Sequence, residues 1–265
     1  MHISLVVTTF NRPQELLLVL KSIERQKLIP TEVIIADDGS DDLTKKVISN
    51  YCEESKLQII HSFQENLGFR AAESRNKAVA KSSCEFIILI DGDMILHPEF
   101  VKDHVKNARK GCFIQGSRVL LTELETQNAI KKGRLSFNFF SKGINNRLNS
   151  IKSNYLSKFF SVKKNHLNGI KSCNMSFFLK DFIGVNGFNN EFRGWGREDS
   201  EFVVRLMNNN INRISLKFAA VQFHLWHNES SRKALSENNN LLQKAIDKKL
   251  NWCDKGFAEF YEDNN

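Results

Sequence analysis

The chain has 265 residues, 41% of them apolar, with three prolines, which excludes a disordered protein and bounds it to one large domain or two lobes sharing a core. Its net charge of +8 is uneven: Thr126 to Lys180 holds eleven Lys and Arg and no Asp or Glu, leaving the remainder net acidic by three. Five scattered cysteines (Cys52, Cys84, Cys112, Cys173, Cys253) without a CxxC pair argue against a disulfide framework or zinc knuckle and for a reducing compartment.

Leu5-Val6-Val7 reads as a short buried strand. Thr8-Thr9-Phe10-Asn11-Arg12 is a turn, and Pro13 suits the first position of a helix in which Leu16, Leu20 and Ile23 share a face. Val33 to Ala36 is a second strand, ending in Asp37-Asp38-Gly39-Ser40. A polar helix follows with Leu43, Val47 and Tyr51 on one face. Leu57 to Ile60 is a third strand. The loop Glu65-Asn66-Leu67-Gly68-Phe69 leads into a helix around Ala71 to Lys81, and Phe86 to Ile90 is a fourth strand. Alternating short apolar strands and helices predict an α/β fold with a parallel sheet covered on both faces. Ligands of such sheets sit beyond the carboxyl ends of the strands, so Thr8 to Arg12, Asp37 to Ser40 and Asp91 to Asp93 are expected to converge on one crevice.

The second half is less regular. Pro98 is expected to begin a helix, Cys112 to Leu121 to form a strand, and residues 122 to 168 resist assignment. Helix resumes near Glu198 to Asn208, strands near Ile211 to Leu216 and Ala219 to Phe223, and a helix around Leu241 to Leu250 in a polar tail. The expected division is a regular half over 1–95, a less regular half over 96–227, and a helical tail over 228–265.

The run FIILIDGDMIL, 86–96, ends a strand in two nearby carboxylates, a costly arrangement unless a partner balances the charge. An EF-hand fails, because Ile95, Leu96 and Lys102 stand where oxygen ligands and a glycine are needed. A dinucleotide fingerprint fails for want of glycines after the first strand, and no GxxxxGK[ST] is present. What remains is Asp91-Gly92-Asp93 as a divalent-metal site that holds a diphosphate, with Gly92 allowing close backbone approach. Taken alone, it reads first as two helix-capping or solvated turn aspartates.

Two further clusters add weight. Gly194-Trp195-Gly196-Arg197-Glu198-Asp199 sets a flat aromatic face beside acids, one of which can serve as general base. Acids also suit the first turn of a helix for electrostatic reasons alone. His224-Leu225-Trp226-His227 follows an apolar strand, and one imidazole there can complete a metal shell.

In this order, TTFNRP, ADDGS, ENLGFRAAESRN, LIDGDM, GWGREDSEF and FHLWH resemble the family 2 glycosyltransferases of GT-A fold, over residues 3 to 230. Within these the chain is most similar to bacterial chondroitin-polymerase-type domains, and its WGRED resembles the WGGED of β-1,4-galactosyltransferases. The resemblance implies a Rossmann-like, mostly parallel sheet in one continuous domain, with a nucleotide-sugar-binding half over 1–95 and an acceptor-binding and catalytic half over 96–227. It implies an inverting, metal-dependent transfer of a hexose or N-acetylhexosamine from a UDP-sugar to a glycan hydroxyl, of capsule or lipopolysaccharide type, with Mn²⁺ or Mg²⁺ as cofactor. By the same resemblance Thr8, Phe10 and Arg12 line the nucleotide and Asp38 contacts the uracil. Arg75, with Asn66 and Gly68, closes that pocket. Asp93 is the direct metal ligand, and Asp91 holds ribose or metal. His224 is the late histidine ligand, with His227 as rival or diphosphate contact. Asp199 is the base, Glu198 orients donor or acceptor, and Trp195 packs on the sugars. Arg197 departs from the glycine often found there, narrowing the donor pocket or adding a contact to an anionic acceptor.

The basic segment carries Phe137, Phe139, Phe140, Tyr155, Phe159 and Phe160 among its cations. It reads either as a solvated face over buried aromatics or as a surface for an anionic partner, membrane headgroups or an acidic glycan. No RRM, KH or zinc-finger signature supports nucleic acid. The opening Met-His-Ile-Ser has neither basic nor long apolar leader, and the apolar runs fall far short of the ~20 residues of a membrane span. The expected location is therefore cytoplasmic, with a peripheral contact at the inner face of the cell membrane through residues 131–180. A non-catalytic nucleotide- or glycan-binding module and a sugar nucleotidylyltransferase are the rival readings. The latter lacks its glycine-rich basic loop.

Overall fold

The computed structural model describes residues 1–229 and 231–261. The first half alternates β1 (Ile3–Thr9), α1 (Pro13–Glu24), β2 (Glu32–Asp37), α2 (Asp42–Glu54), β3 (Ile59–Phe63), α3 (Ala71–Ala80) and β4 (Phe86–Asp91). After it come β5 (Met94–Leu96), α4 (Phe100–Asn107), β6 (Cys112–Gln115), β7 (Val119–Leu121), α5 (Glu123–Lys132), β8 (Ile144–Asn145), α6 (Asn154–Phe160) and β9 (Val162–Lys163). The chain then forms β10 (Asn174–Phe178), α7 (Leu179–Ile183), α8 (Glu198–Asn208), β11 (Asn212–Ser215), β12 (Gln222–His224) and α9 (Leu235–Asp247).

The main sheet has the order β3-β2-β1-β4-β10-β6-β11-β9, and a small sheet the order β5-β12-β7-β8. β1, β2, β3 and β4 are mutually parallel, as are β6 and β11, while β10 runs antiparallel between β4 and β6. Alternation along the strands feeds two cores. Leu5 and Val7 of β1, with Ile88 and Ile90 of β4, pack on α1. Val6, Ile87 and Leu89 face the phenylalanine-rich layer of Phe177, Phe182 and Phe202. The expected mixed α/β fold with helices on both faces is the observed one.

Several local expectations shift. In α2, Asp41 caps the helix through Thr44, so Thr44, Ile48 and Tyr51 turn inward and Leu43 is exposed. Pro98 lies in a turn, and α4 starts at Phe100. The strand expected over 112–121 is two strands, β6 and β7, and between them Gly116 lies against Asn174: a Cβ there would fall 2.3 Å from Asn174 Oδ1. β12 begins later than expected, since Phe218 and Ala220 hold left-handed turns before it. The tail helix starts at Leu235 and packs on α8; residue 230 and residues 262–265 of the expected tail lie outside the described part. The five thiols are free.

The aromatics of the basic segment depart from burial. Phe137 is buried, but Phe140, Tyr155, Phe159 and Phe160 are exposed by 87%, 72%, 60% and 56%. On α6 the buried residue is Ser157, and Tyr155, Lys158 and Phe159 face outward. Among the described residues no helix is long and apolar enough to cross a membrane.

Candidate active site

The order of the main sheet creates the site. The chain winds outward from β1 through β2 to β3, then returns to place β4 on β1's other edge, so the crossovers diverge above the β1–β4 pair. Register aligns Thr8 with Asp91 and Thr9 with Asp37 at the strand ends. A crevice of about 800 Å³ opens there. Thr8, Phe10, Arg12, Asp38, Arg75, Asp91, Gly92, Asp93, Trp195, Arg197, Glu198, Asp199, His224 and His227 all line it.

Asn66 and Gly68 do not. They form an exposed turn beside the crevice, where Gly68 N donates to Asn66 Oδ1 at 3.2 Å, and the backbone of Asn66 fills the space over Gly39. Phe69 lines the wall instead.

β5 and β12 pair antiparallel, His224 opposite Met94, which brings the HLWH stretch beside Asp93. Asp93 Oδ2 lies 3.2 Å from His227 Nε2 and 3.6 Å from His224 Nε2, and the two imidazole nitrogens are 3.2 Å apart. Arg12 Nη1 adds a longer contact at 3.7 Å. Burial by itself raises the Asp93 pKa, but the two imidazoles outweigh it and hold the carboxyl well below the usual range. The hydrogen bond to Asp93 likewise raises the pKa of His227.

These three donors lie within 4.8 Å of one another, and Asp93 Oδ1 is buried without a hydrogen-bond partner. One carboxylate and two neutral imidazoles form a donor set that fits a first-row divalent cation. Asp91 stands outside this triangle. Its carboxylate faces Arg75 Nη2 at 3.5 Å, and its pKa is raised by burial, against the guanidinium.

Arg75 is the hub of the crevice. Its Nε donates to Thr8 Oγ1 at 3.2 Å and its Nη1 to Glu198 Oε1 at 3.2 Å, tying the ends of β1, β4 and α8 together. Phe188 packs 5.3 Å beneath the guanidinium. Asp199, next along α8, accepts from Ser200 N and is pushed up to about 7, by burial first and then by the charge of Glu198, with Arg75 opposing. Asp38 is buried and already accepts from Gln64 Nε2 at 2.6 Å and Arg70 N at 2.7 Å.

Two glycines of the site lie at close approaches. At Gly92 a Cβ would meet Thr9 Oγ1 at 3.0 Å, so the close approach is to β1. Gly194 takes φ +70°, and a Cβ there would meet Ala234 Cβ at 2.6 Å. The loop is thereby pressed against the start of α9, where Arg232 lies 5.6 Å from the Trp195 ring. Arg118, Lys171 and Arg232 also line the crevice and carry no motif that would mark them in the sequence.

Residues 4–171 match the glycosyl transferase family 2 model, and residues 156–228 match that of the N-terminal domain of galactosyltransferase. Hyaluronan synthase of Pasteurella multocida is 32% identical over 235 residues, covering 77% of this chain and 22% of that protein. Chondroitin synthase of Escherichia coli is 25% identical over 224 residues, covering 77% and 32%. S. aureus TarS 1-349, solved in complex with UDP, shares the fold with a TM-score of 0.60 at 18% identity, over 98% of this chain and 68% of that one. The chain spans about half the length, or less, of the curated relatives it matches. It belongs to glycosyl transferase family 2 and has the GT-A fold.

Proposed function

We propose that this chain transfers a hexose or N-acetylhexosamine from a UDP-sugar to a hydroxyl of a glycan acceptor, with inversion. The observation that carries this is the meeting of Asp93, His224 and His227 with the Glu198–Asp199 pair in one crevice at the β1–β4 strand ends. The UDP bound by TarS, and the glycan polymers named for the two relatives, support the donor and acceptor classes.

In this reading residues 1–95 hold the nucleotide, residues 96–227 complete the acceptor side, and the tail from residue 228 adds the wall at Arg232 and Leu235. Thr8, Phe10, Arg12 and Asp38 surround the nucleoside. Arg75 holds Asp91 and Glu198 in place, and Trp195 offers its face to the sugars. Asp199 takes the proton of the acceptor hydroxyl, a contribution of roughly 10²–10⁴-fold. The hydroxyl attacks the anomeric carbon opposite the departing diphosphate. Asp93, His224 and His227 would hold Mn²⁺ or Mg²⁺, which when bound supplies positive charge to a leaving diphosphate. The exposed aromatic and basic face of α6 supports a peripheral contact at the inner face of the cell membrane.

Calorimetric titration with UDP tests the site. Binding is expected to require Mn²⁺ or Mg²⁺, and Asp93→Ala to weaken it by at least ~10-fold, the scale of losing one metal contact. Equal affinity with and without the cation would remove the metal from this reading. UDP release across a panel of UDP-sugars with Mn²⁺ then identifies the donor; no release from any of them would remove the transfer itself.

A further inference from the structure

A second pocket of about 470 Å³ adjoins the crevice, and Arg118, Leu120 and Lys171 line both. Its walls come from the ends of β6 and β11 and from the loop after β9, and they carry Arg118, Lys164, Lys171, Arg213 and Lys217. No Asp or Glu lines it.

Arg213 is the unusual member. It is 4% exposed, and its Nη1 donates to the carbonyls of His166 and Asn168 at 2.8 Å each. Its Nε is buried with no partner among the described residues. A cation so buried ordinarily faces a carboxylate, because desolvation without a counter-charge is costly. Here the protein supplies carbonyls alone, and burial pushes the guanidinium pKa down. The charge deficit belongs to the pocket as built.

We infer that this pocket is a subsite for an anionic group, phosphate or carboxylate, carried by the acceptor near the reacting hydroxyl. It deepens the proposed transfer and rests on it for the word acceptor. No residue of the first ninety-five lines the pocket, so the nucleotide pocket lies elsewhere. The pocket lies between the crevice and α6: the Lys217 backbone accepts from and donates to Ser161 Oγ, and Phe218 meets Phe160 edge to face. A charged acceptor entering from that side meets Lys217 and Lys164 before Arg118 and Lys171. A uronate in a glycan and the diphosphate of a lipid carrier both supply the required charge.

The test is calorimetry on the full chain, with and without saturating UDP and Mn²⁺. The probes are a tetrasaccharide alternating glucuronate and N-acetylhexosamine, its carboxyl-reduced neutral form, and a sugar diphosphate on a short isoprenyl tail. At least one anionic probe is expected to bind about tenfold tighter than the neutral one, the scale of two part-exposed ion pairs. Which one binds distinguishes uronate from diphosphate. The double variant K164E/K217E, altering two exposed side chains, is expected to abolish that preference with UDP affinity unchanged, and Arg213→Gln to do the same. Should Arg213→Gln fail to fold, the lysine variant decides. Equal binding of anionic and neutral probes, or a preference that survives charge reversal, overturns the subsite. An anion preference without UDP binding would keep the subsite and sink the donor reading; UDP binding without the preference would do the reverse.

Discussion

Two carboxylates of the crevice, Asp93 and Asp199, behave oppositely, and the difference lies in what each faces. Asp93 meets two imidazoles and stays ionised, whereas burial, and then the charge of Glu198, push Asp199 up to about 7. A general base must be unprotonated, so a raised pKa makes the reaction fail as pH falls through it. We expect kcat/KM to rise about tenfold per pH unit below pH ~7 and to flatten above it. Asp199→Asn is expected to lose about 10²-fold or more in kcat while retaining UDP affinity. A pH profile without a break between 6 and 8, or near-normal turnover by the variant, would take the base role from Asp199. The Asp-x-Asp pair was legible at this scale because a buried strand seldom ends in two acids. Its partners came from the HLWH stretch, where His224 and His227 stood as rivals and both lie beside Asp93; that Asp91 faces Arg75 was invisible to local spacing.

Among the elements, α8 carries the acids of the site on a helix whose other side is fixed by a buried ion pair. Arg205 Nε and Nη2 donate to the two oxygens of Glu201 at 2.8 and 2.7 Å, and its Nη1 donates to the carbonyls of Val185 and Gly187. Both side chains are essentially without solvent contact. Removing one partner strands a charge, so Glu201→Leu is expected to cost about 3–5 kcal/mol in urea denaturation, and pairing it with Arg205→Met to recover much of that. A single-variant loss under ~1 kcal/mol would show that the pair does not hold α8. At the helix start Arg197 takes φ +76°, the conformation that glycine adopts freely, and its Nε is tied to Asn239 Oδ1 of α9. The first ninety residues were legible because β1, β2 and β4 are apolar runs buried on both faces. Residues 122 to 168 were not: their elements are short, α6 turns a serine inward and aromatics outward, and that inversion defeats a periodicity reading.

At the scale of the whole molecule, charge and shape divide along the chain. The crevice sets its acids among arginines, whereas residues 126–180 gather cations around exposed aromatics without an acid. Tyr155 and Phe159 meet at 4.9 Å with their rings tilted on the outer side of α6, with Lys158 between them in sequence and Lys163 and Lys164 following at β9. Water is a poor partner for such a face, and an anionic bilayer surface satisfies both parts. Each lysine near the headgroups contributes about 1 kcal/mol, and each half-buried ring adds a comparable apolar share. The full chain is therefore expected to float with phosphatidylglycerol-containing vesicles and to be released as salt rises, because the ionic share is screened over a Debye length of about 8–10 Å. Pure phosphatidylcholine vesicles should not retain it. Replacing Tyr155 and Phe159 by serine is expected to lower partitioning about tenfold or more with little change in folding, since both rings are already in solvent. Failure to float at low salt, or flotation indifferent to these two rings, would return α6 to an ordinary solvated surface and leave a soluble glycan as the acceptor to be sought.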